Sequence, residues 1–525
     1  MNKVAKTTIV LMIITLLSKI LGFARELALT YVYGATEISD VYITSSTIPI
    51  TLFTSVGTAL ATTFIPLFYE LDKNNQREKS LKFTNNIFNI VTLITIIVSI
   101  LGYIFAEPLV KLFAMDFSGD KLKIAVDFTR IMIFGIVFIA LSQMMTAWLQ
   151  ISGKFAIPGM IGFPFNICII LGIIISSKGN INIMAIGTLI AMVSQFLFQL
   201  PFAIKNGYKY KLYVNLNDEY LKKMLWLITP VFIGVGVNQI NSIVDRSLAS
   251  TLGDGIITVL NSANRLNSFV LGLFISTIAA VIYPNLSKLS NESDKKKFAE
   301  SVAQSVNTVV LLIIPISVGA IVLANPVVRV VFERGAFNSD ATNMTAIALS
   351  CYSIGMIGFS LREILNKVFY SLQDTKTPMV NGALAMGMNI VLNFILIRFL
   401  GHVGLALATS ISALICIALL FNSLKKKIGY FGQDKIISTM AKSLVAAVCM
   451  GGITRLVYNL LDNNIIGSGL IQDVVVLFSS IGVGAMVYFV LVVLFKVEEV
   501  NVVVNMVKSK SNRKFEYNGM KKIKN

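Results

Sequence analysis

The chain carries little charge. Asp, Glu, Lys and Arg make up 14% of its 525 residues, against about a quarter in soluble proteins. It has one histidine, His402, which leaves no multi-histidine zinc centre and no general base beyond a residue in a short loop. Its four cysteines, Cys168, Cys351, Cys416 and Cys449, stand far apart in apolar runs with no CxxC. Neither a disulfide scaffold nor a thiolate metal site follows from them. P-loop, GxGxxG and HExxH motifs are absent. The longest loops, around 69–83 and 205–222, are lysine-rich and lack the acidic clusters of a membrane-embedded glycosyltransferase or lipid phosphatase.

What the chain has is apolar length. Hydrophobic residues form 55% of it and its mean hydropathy is +0.76. These values predict an all-α polytopic membrane protein with almost no extramembrane domain. Fourteen apolar runs read as transmembrane helices: 7–32, 38–68, 84–106, 123–150, 155–177, 181–204, 223–250, 255–286, 302–324, 341–371, 377–400, 402–424, 438–461 and 469–496. The basic start and first apolar run lack a small-residue cleavage motif, so they read as the first span rather than a signal peptide.

Net charge is +18. No loop forms a basic domain with aromatic platforms, so nucleic acid is not the expected partner. The positive-inside rule explains the excess instead. With the N-terminus cytoplasmic, the inside loops collect Lys73, Arg77, Lys79 and Lys82, then Lys205, Lys209, Lys211, Lys222 and Lys223, then Lys295–Lys297 and Lys425–Lys427. The tail over 497–525 is basic too, and the outside loops hold few such residues. An even span count puts both termini in the cytoplasm.

The chain also repeats itself. "TTFIPLFYELDKNNQREKSLKF" around Pro66 resembles "AAVIYPNLSKLSNESDKKKF" around Pro284, and "IFAEPLVKLF" at Pro108 resembles "VLANPVVRVVF" at Pro326. Both offsets are 218 residues; Pro158 and Pro378 are 220 apart. Spans 1–6 and 7–12 therefore read as two pseudo-symmetric six-helix lobes around a central cavity, with two C-terminal helices outside the repeat. The expected domains are 1–215, 216–430, 431–496 and the tail 497–525. A parallel repeat of this kind suits a transporter whose lobes rock.

Polar residues within spans are costly and mark cavities or partners. In span 1, Ser18, Gly22 and Arg25 share one helix face, with Lys19 and Glu26 on a neighbouring one. Span 2 has a stripe at Asp40, Thr44, Thr47, Thr51, Thr54 and Thr58, whose hydroxyls could equally bond their own backbone. Span 7 carries Asn238, Asn241 and Asp245 beside Arg246; span 8 carries Asn261, Asn264 and Arg265, the last near mid-membrane. Span 10 adds Arg362, Glu363 and Lys367, which neutralise one another locally. Lys19, Arg25 and Arg265 come from different lobes, and cations meeting in one cavity predict an anionic substrate, since arginine grips phosphate as a fork. A drug or cation antiporter would want carboxylates there.

The segments "SKILGFAREL", "YGATEISDVYITSSTIP" and "NSANRLNSFVLGLF" resemble the MurJ (MviN) family of the multidrug/oligosaccharidyl-lipid/polysaccharide exporter superfamily, over essentially the whole chain. The resemblance implies a flippase, not an enzyme. Its substrate would be lipid II, the undecaprenyl-pyrophosphate-linked peptidoglycan precursor, moved from the inner to the outer leaflet of the bacterial cytoplasmic membrane. A flippase for another lipid-linked oligosaccharide is the alternative. The resemblance carries substrate binding onto Ser18, Arg25, Asp40 and Arg265, with Lys19 where the family often has arginine and Glu26 where it has aspartate. Asn238 and Asn241 could supply hydrogen bonds to sugar and peptide. A family arginine near Phe53 or Thr54 is missing here. A sodium site would fall on Asp245, Asn389, Asn393 and Thr409, with Asn393 replacing a carboxylate. Coupling to Na+ or H+ and drive by the membrane potential are expected, as are lipid II, membrane lipids and other cell-wall synthesis proteins as partners. Spans 13 and 14 would form a groove for the isoprenoid tail.

Overall fold

A computed structural model describes residues 3–72, 77–292, 294–464 and 469–499. Lys73, the tail beyond Glu499, and the side chains of Thr54, Thr58 and Asn238 lie outside the described residues. Every regular element among the described residues is helical. The helices are α1 (Lys3–Tyr33), α2 (Glu37–Asp72), α3 (Arg77–Ile104), α4 (Ala106–Phe113), α5 (Gly119–Met132), α6 (Gly135–Ile151), α7 (Ala156–Gly159), α8 (Gly162–Ser176) and α9 (Asn182–Lys205). They continue as α10 (Glu219–Ala249), α11 (Ile256–Ser290), α12 (Lys295–Val322), α13 (Ala324–Phe332), α14 (Ser339–Ser371), α15 (Lys376–Leu400), α16 (His402–Ile428), α17 (Gln433–Asn464) and α18 (Leu470–Leu494).

Each apolar run of the sequence falls on one of these helices or a pair of them. Among the described residues, eleven stretches are long and apolar enough to cross a membrane, counting α5–α6 and α7–α8 as one stretch each. The protein is a multi-pass membrane protein. Three of its helices begin at side-chain caps. Ser39 accepts from the Thr36 amide at 3.0 Å and donates to the Gly34 carbonyl at 2.7 Å, fixing the start of α2. Asp218 accepts from the Tyr220 and Leu221 amides and opens α10; Asp294 does so for Lys297 in α12. Inside the spans, hydroxyls bond the preceding turn: Thr47 to Ile43, Thr129 to Ala125, Thr188 to Met184 and Ser360 to Met356. This is how a polar side chain is satisfied where water is scarce.

The repeated sequences build repeated shapes. α3 and α12 are each 28 residues long, and each is followed by a short helix with proline at its third position, α4 or α13. Proline is tolerated there because first-turn amides have no intrahelical partner. Two spans read as continuous are broken. The 123–150 run divides after Met132, where amides of Ile136 and Val137 reach back only three residues, and Gly135 lies against Met192 with no room for a Cβ. The 155–177 run divides around Pro158 and Gly159 into α7 and α8.

The chain forms two compact units. Unit 1 is Met1–Arg265 with Phe332–Met344 and Ile390–Leu405; unit 2 is Leu266–Val331, Thr345–Asn389 and Ala406–Asn525. In unit 1 an aromatic core joins α2, α3 and α6: Phe64 stacks on Phe83 at 5.6 Å, and Trp148 meets Phe68 edge-on at 5.7 Å and Tyr208 at 5.5 Å. One face of α3 holds the extended segment after α9. Asn85 and Asn89 donate to the carbonyls of Lys209, Lys211 and Tyr213, and Asn86 exchanges two bonds with the Asn215 backbone. In unit 2 the core runs along α11, α12, α14 and α16 through Val306, Ile313, Leu365, Phe369 and Leu420.

Candidate functional site: carboxylates and cations around helices α1 and α11

The polar face of α1 meets two partners in unit 1. Ser18 Oγ sits against Gly162, a Cβ on Gly22 would lie 3.9 Å from Asn166, and the Arg25 guanidinium lies over the Phe165 ring at 5.7 Å from its centroid. The Ser18–Gly22–Arg25 stripe therefore faces the start of α8. Small residues at Gly22 and Gly162 let the two backbones approach, as helices in lipid require. Arg25 remains half-buried and Lys19 is exposed. Asn166 is 5% exposed; its amide donates to the Gly162 carbonyl at 2.7 Å, while its Oδ1 has no hydrogen-bond partner among the described residues.

Glu26 turns the other way. It is 4% exposed and pairs with Arg265, whose Nε lies 3.7 Å away; Asn261 donates its amide to the other carboxylate oxygen. Glu26 is thus the counter-ion of Arg265. Asn261 and Arg265 are one turn apart on α11 and both face α1. The Arg265 side chain is 49% exposed, so its guanidinium is anchored at one edge and open at the other. Phe23, on the same helix as Glu26, lies 6.1 Å from Phe332.

Asp40 is wholly buried. It accepts from the Gly255 amide at 2.7 Å, the Thr258 amide at 2.8 Å and the Thr258 hydroxyl at 2.7 Å. These amides belong to the first turn of α11, which has no intrahelical acceptor for them and carries the positive end of the helix dipole. Lys121 of α5 stands 3.9 Å from Asp40 and 2.5 Å from Asp254, above the Phe117 ring. The surrounding turns interlock. Gly34 (φ +63°) lies against Ala336 and Gly255 (φ +82°) against Ala35, so closely that neither could carry a side chain. Asp40 is a clasp on α11, with both oxygens already engaged.

Further along the α2 stripe, Thr44 is buried with a hydroxyl that has no partner among the described residues, Thr47 bonds its own helix and Thr51 is buried. On α10, Asn241 donates to Asp245 at 3.3 Å, and Asn393 of α15 donates to the other oxygen of Asp245 at 2.5 Å. Arg246 donates to the Ile43 carbonyl at 3.2 Å. Asn389 and Thr409 belong to unit 2. Among the described residues no three His, Cys, Asp or Glu side chains are grouped to hold a metal ion. Lys121, Thr258 and Asn166 were not legible as site residues, because their partners lie far along the chain.

Unit 2 contains a groove of about 470 Å3 with almost wholly apolar walls. Phe269 of α11, Pro315 and Gly319 of α12, Met450 of α17, and Ile481 and Gly484 of α18 line it. Tyr488 closes one side, its hydroxyl donating to the Leu311 carbonyl at 2.9 Å.

A family model described as "Lipid II flippase MurJ" matches residues 29–473. A "Probable lipid II flippase MurJ" of Vibrio cholerae is 33% identical over 472 residues, covering 86% of this chain and 88% of that protein. A "Lipid II flippase MurJ" of Burkholderia cenocepacia is 27% identical over 452 residues, covering 84% and 87%. Among solved structures, "Lipid II flippase MurJ, inward closed conformation" superposes with a TM-score of 0.80 at 28% identity, over 93% of this chain and 98% of that one. An inward-facing multidrug resistance MATE transporter of the MOP superfamily shares the fold, with a TM-score of 0.67 at 14% identity over 81% and 99%. With its sequence matched over most of its length and its helices laid out in the same order, the chain belongs to the MurJ lipid II flippase family.

Proposed function

We propose that the protein is a transporter that moves lipid II from the inner to the outer leaflet of the bacterial cytoplasmic membrane by alternating access. The observation that carries this is Arg265. It is a mid-span cation held by a buried carboxylate on one side and half-exposed on the other, next to a helix bearing Arg25 and Lys19. A pyrophosphate needs such a group: already oriented, yet still with donors to give. Ser18 and the amides of α10 and α11 supply neutral hydrogen bonds for sugar and peptide. The apolar groove of unit 2 suits the isoprenoid tail, because α17 and α18 line it together with α11 and α12.

Fourteen spans in two six-helix lobes, 1–215 and 216–430, followed by spans 13 and 14, belong to the same reading, with both termini cytoplasmic. The matched lengths of α3 and α12 and the recurring short helix support the duplication. So does the lysine pattern. The membrane potential, worth about 2.3 kcal/mol per charge per 100 mV, would help reset an empty cation-lined cavity. Coupling to Na+ or H+ and contact with other cell-wall synthesis proteins are part of this proposal.

The test is a lipid II flipping assay in cells carrying Arg265→Ala or Arg25→Ala in place of the wild-type gene. Each change removes a cation that a pyrophosphate would contact, so flipping is expected to fall at least tenfold, about 1.4 kcal/mol or more. Wild-type flipping in both variants would count against the headgroup site. Rescue of a strain depleted of its own lipid II flippase separates lipid II from other lipid-linked oligosaccharides.

A further inference from the structure

Unit 2 holds a second cavity, of about 530 Å3, at the starts of α12 and α17. The lysine pattern assigns these ends to the cytoplasmic interface. It takes no part in the headgroup or tail sites above. Its floor is Asn307, 2% exposed, whose amide donates to Glu499 after α18. Asn307 Oδ1 and the second oxygen of Glu499 are both buried and have no hydrogen-bond partner among the described residues. Two neighbouring buried acceptors without a donor are costly, the more so when one is a carboxylate. They call for a ligand that brings N–H groups, best of all a cationic one.

The rim carries a cationic excess: Lys295, Lys296 and Lys435 stand there against the exposed carboxylates of Glu300 and Glu498, the last 3.0 Å from Lys435. Between rim and floor the wall is apolar, formed by Ala299, Ala303 and Phe431. A cavity with ammonium groups at the mouth, apolar sides and acceptors at the bottom fits a short zwitterion attached to something greasy.

We propose that this cavity binds the headgroup of a phosphoethanolamine lipid of the inner leaflet, its phosphate on Lys295 and Lys296 and its ammonium on Asn307 and Glu499. Choline has no N–H to offer the floor, and glycerol would bring hydroxyls to a carboxylate that binds an ammonium more strongly. Headgroup pockets between transmembrane helices on the cytoplasmic side are a recurrent use of such lysines. The bound lipid would tie α12 to the segment after α18.

The test is native mass spectrometry on the purified full-length protein, mixed with equal amounts of phosphatidylethanolamine, phosphatidylglycerol and phosphatidylcholine of identical chains. Phosphatidylethanolamine should be retained in preference to the other two. Glu499→Gln should lower that retention by about tenfold, the loss of one charge-assisted hydrogen bond. Lys295→Ala with Lys296→Ala, both at exposed positions, should lower retention of every phospholipid at this site. Equal retention of the three lipids by the wild type, or unchanged phosphatidylethanolamine retention in Glu499→Gln or in the double lysine variant, would overturn the proposal. Flipping of lipid II is not part of the readout, so this result stands or falls apart from the proposed function.

Discussion

Two carboxylates from the first part of the chain, Glu26 and Asp40, both bind α11 and are both buried, yet they are built for different tasks. Asp40 meets the end of the helix, where amides and a hydroxyl engage its two oxygens. Glu26 meets the side of the helix, where its cationic partner Arg265 stays 49% exposed. Burial of an acid therefore does not by itself mark a ligand site. The distinction lies in whether the partner has donors left over. Arg265 does, whereas the Gly255 and Thr258 groups that meet Asp40 are each spent on it.

Removing the clasp should have the larger effect. Asp40→Ala leaves buried amides and the Thr258 hydroxyl without an acceptor and is expected to cost about 3 kcal/mol of stability. Thermal denaturation in detergent reads this directly, and a melting curve like that of the wild type would end the clasp interpretation.

Glu26→Gln should do less to the fold and more to the ligand. The amide keeps an acceptor for Asn261, and the lost ion pair, discounted for the half-exposed arginine, is worth about 1 kcal/mol. Without the carboxylate that orients it, Arg265 is expected to hold a pyrophosphate lipid less tightly. Retention of such a lipid in native mass spectra should fall; a rise would mean that Glu26 competes for the guanidinium rather than orienting it.

The smallest effect extends the comparison to the surface. Asp374 opens α15 as Asp40 clasps α11, but beside solvent. Burial raises the carboxyl's proton affinity, yet bonds from Lys427 at 2.5 Å and from the Thr377 backbone and hydroxyl outweigh it, bringing its pKa from 3.8 down to about 2. A carboxylate whose folded pKa is depressed stabilises above its unfolded value and loses that contribution as pH falls through the folded one. The stability gap between wild type and Asp374→Asn should therefore be constant above about pH 4 and shrink towards pH 2. A gap that does not change across that window would show that the Lys427 contact is not maintained in solution.

The positions of the helices were legible in the sequence because a bilayer demands uninterrupted apolar length and internally satisfied backbone. The breaks within them were not. α5 ends at Met132, and α6 starts at Gly135 where it meets Met192, a contact between residues 57 positions apart. The short helices α4 and α13 were visible only as a repeated proline motif, not as helices.

The site divides in the same way. Sequence alone determined that this protein would cross a membrane many times, and it showed which spans carry charge, since charge in lipid is too costly to be incidental. Only the tertiary structure decided what each charge does. Arg25 rests on Phe165, Arg265 is held by Glu26, and Asp40 is consumed by α11. Helical spacing tells which residues share a face, but not which neighbour that face meets. An ionisable group's role is set by that neighbour and by the donors it has left.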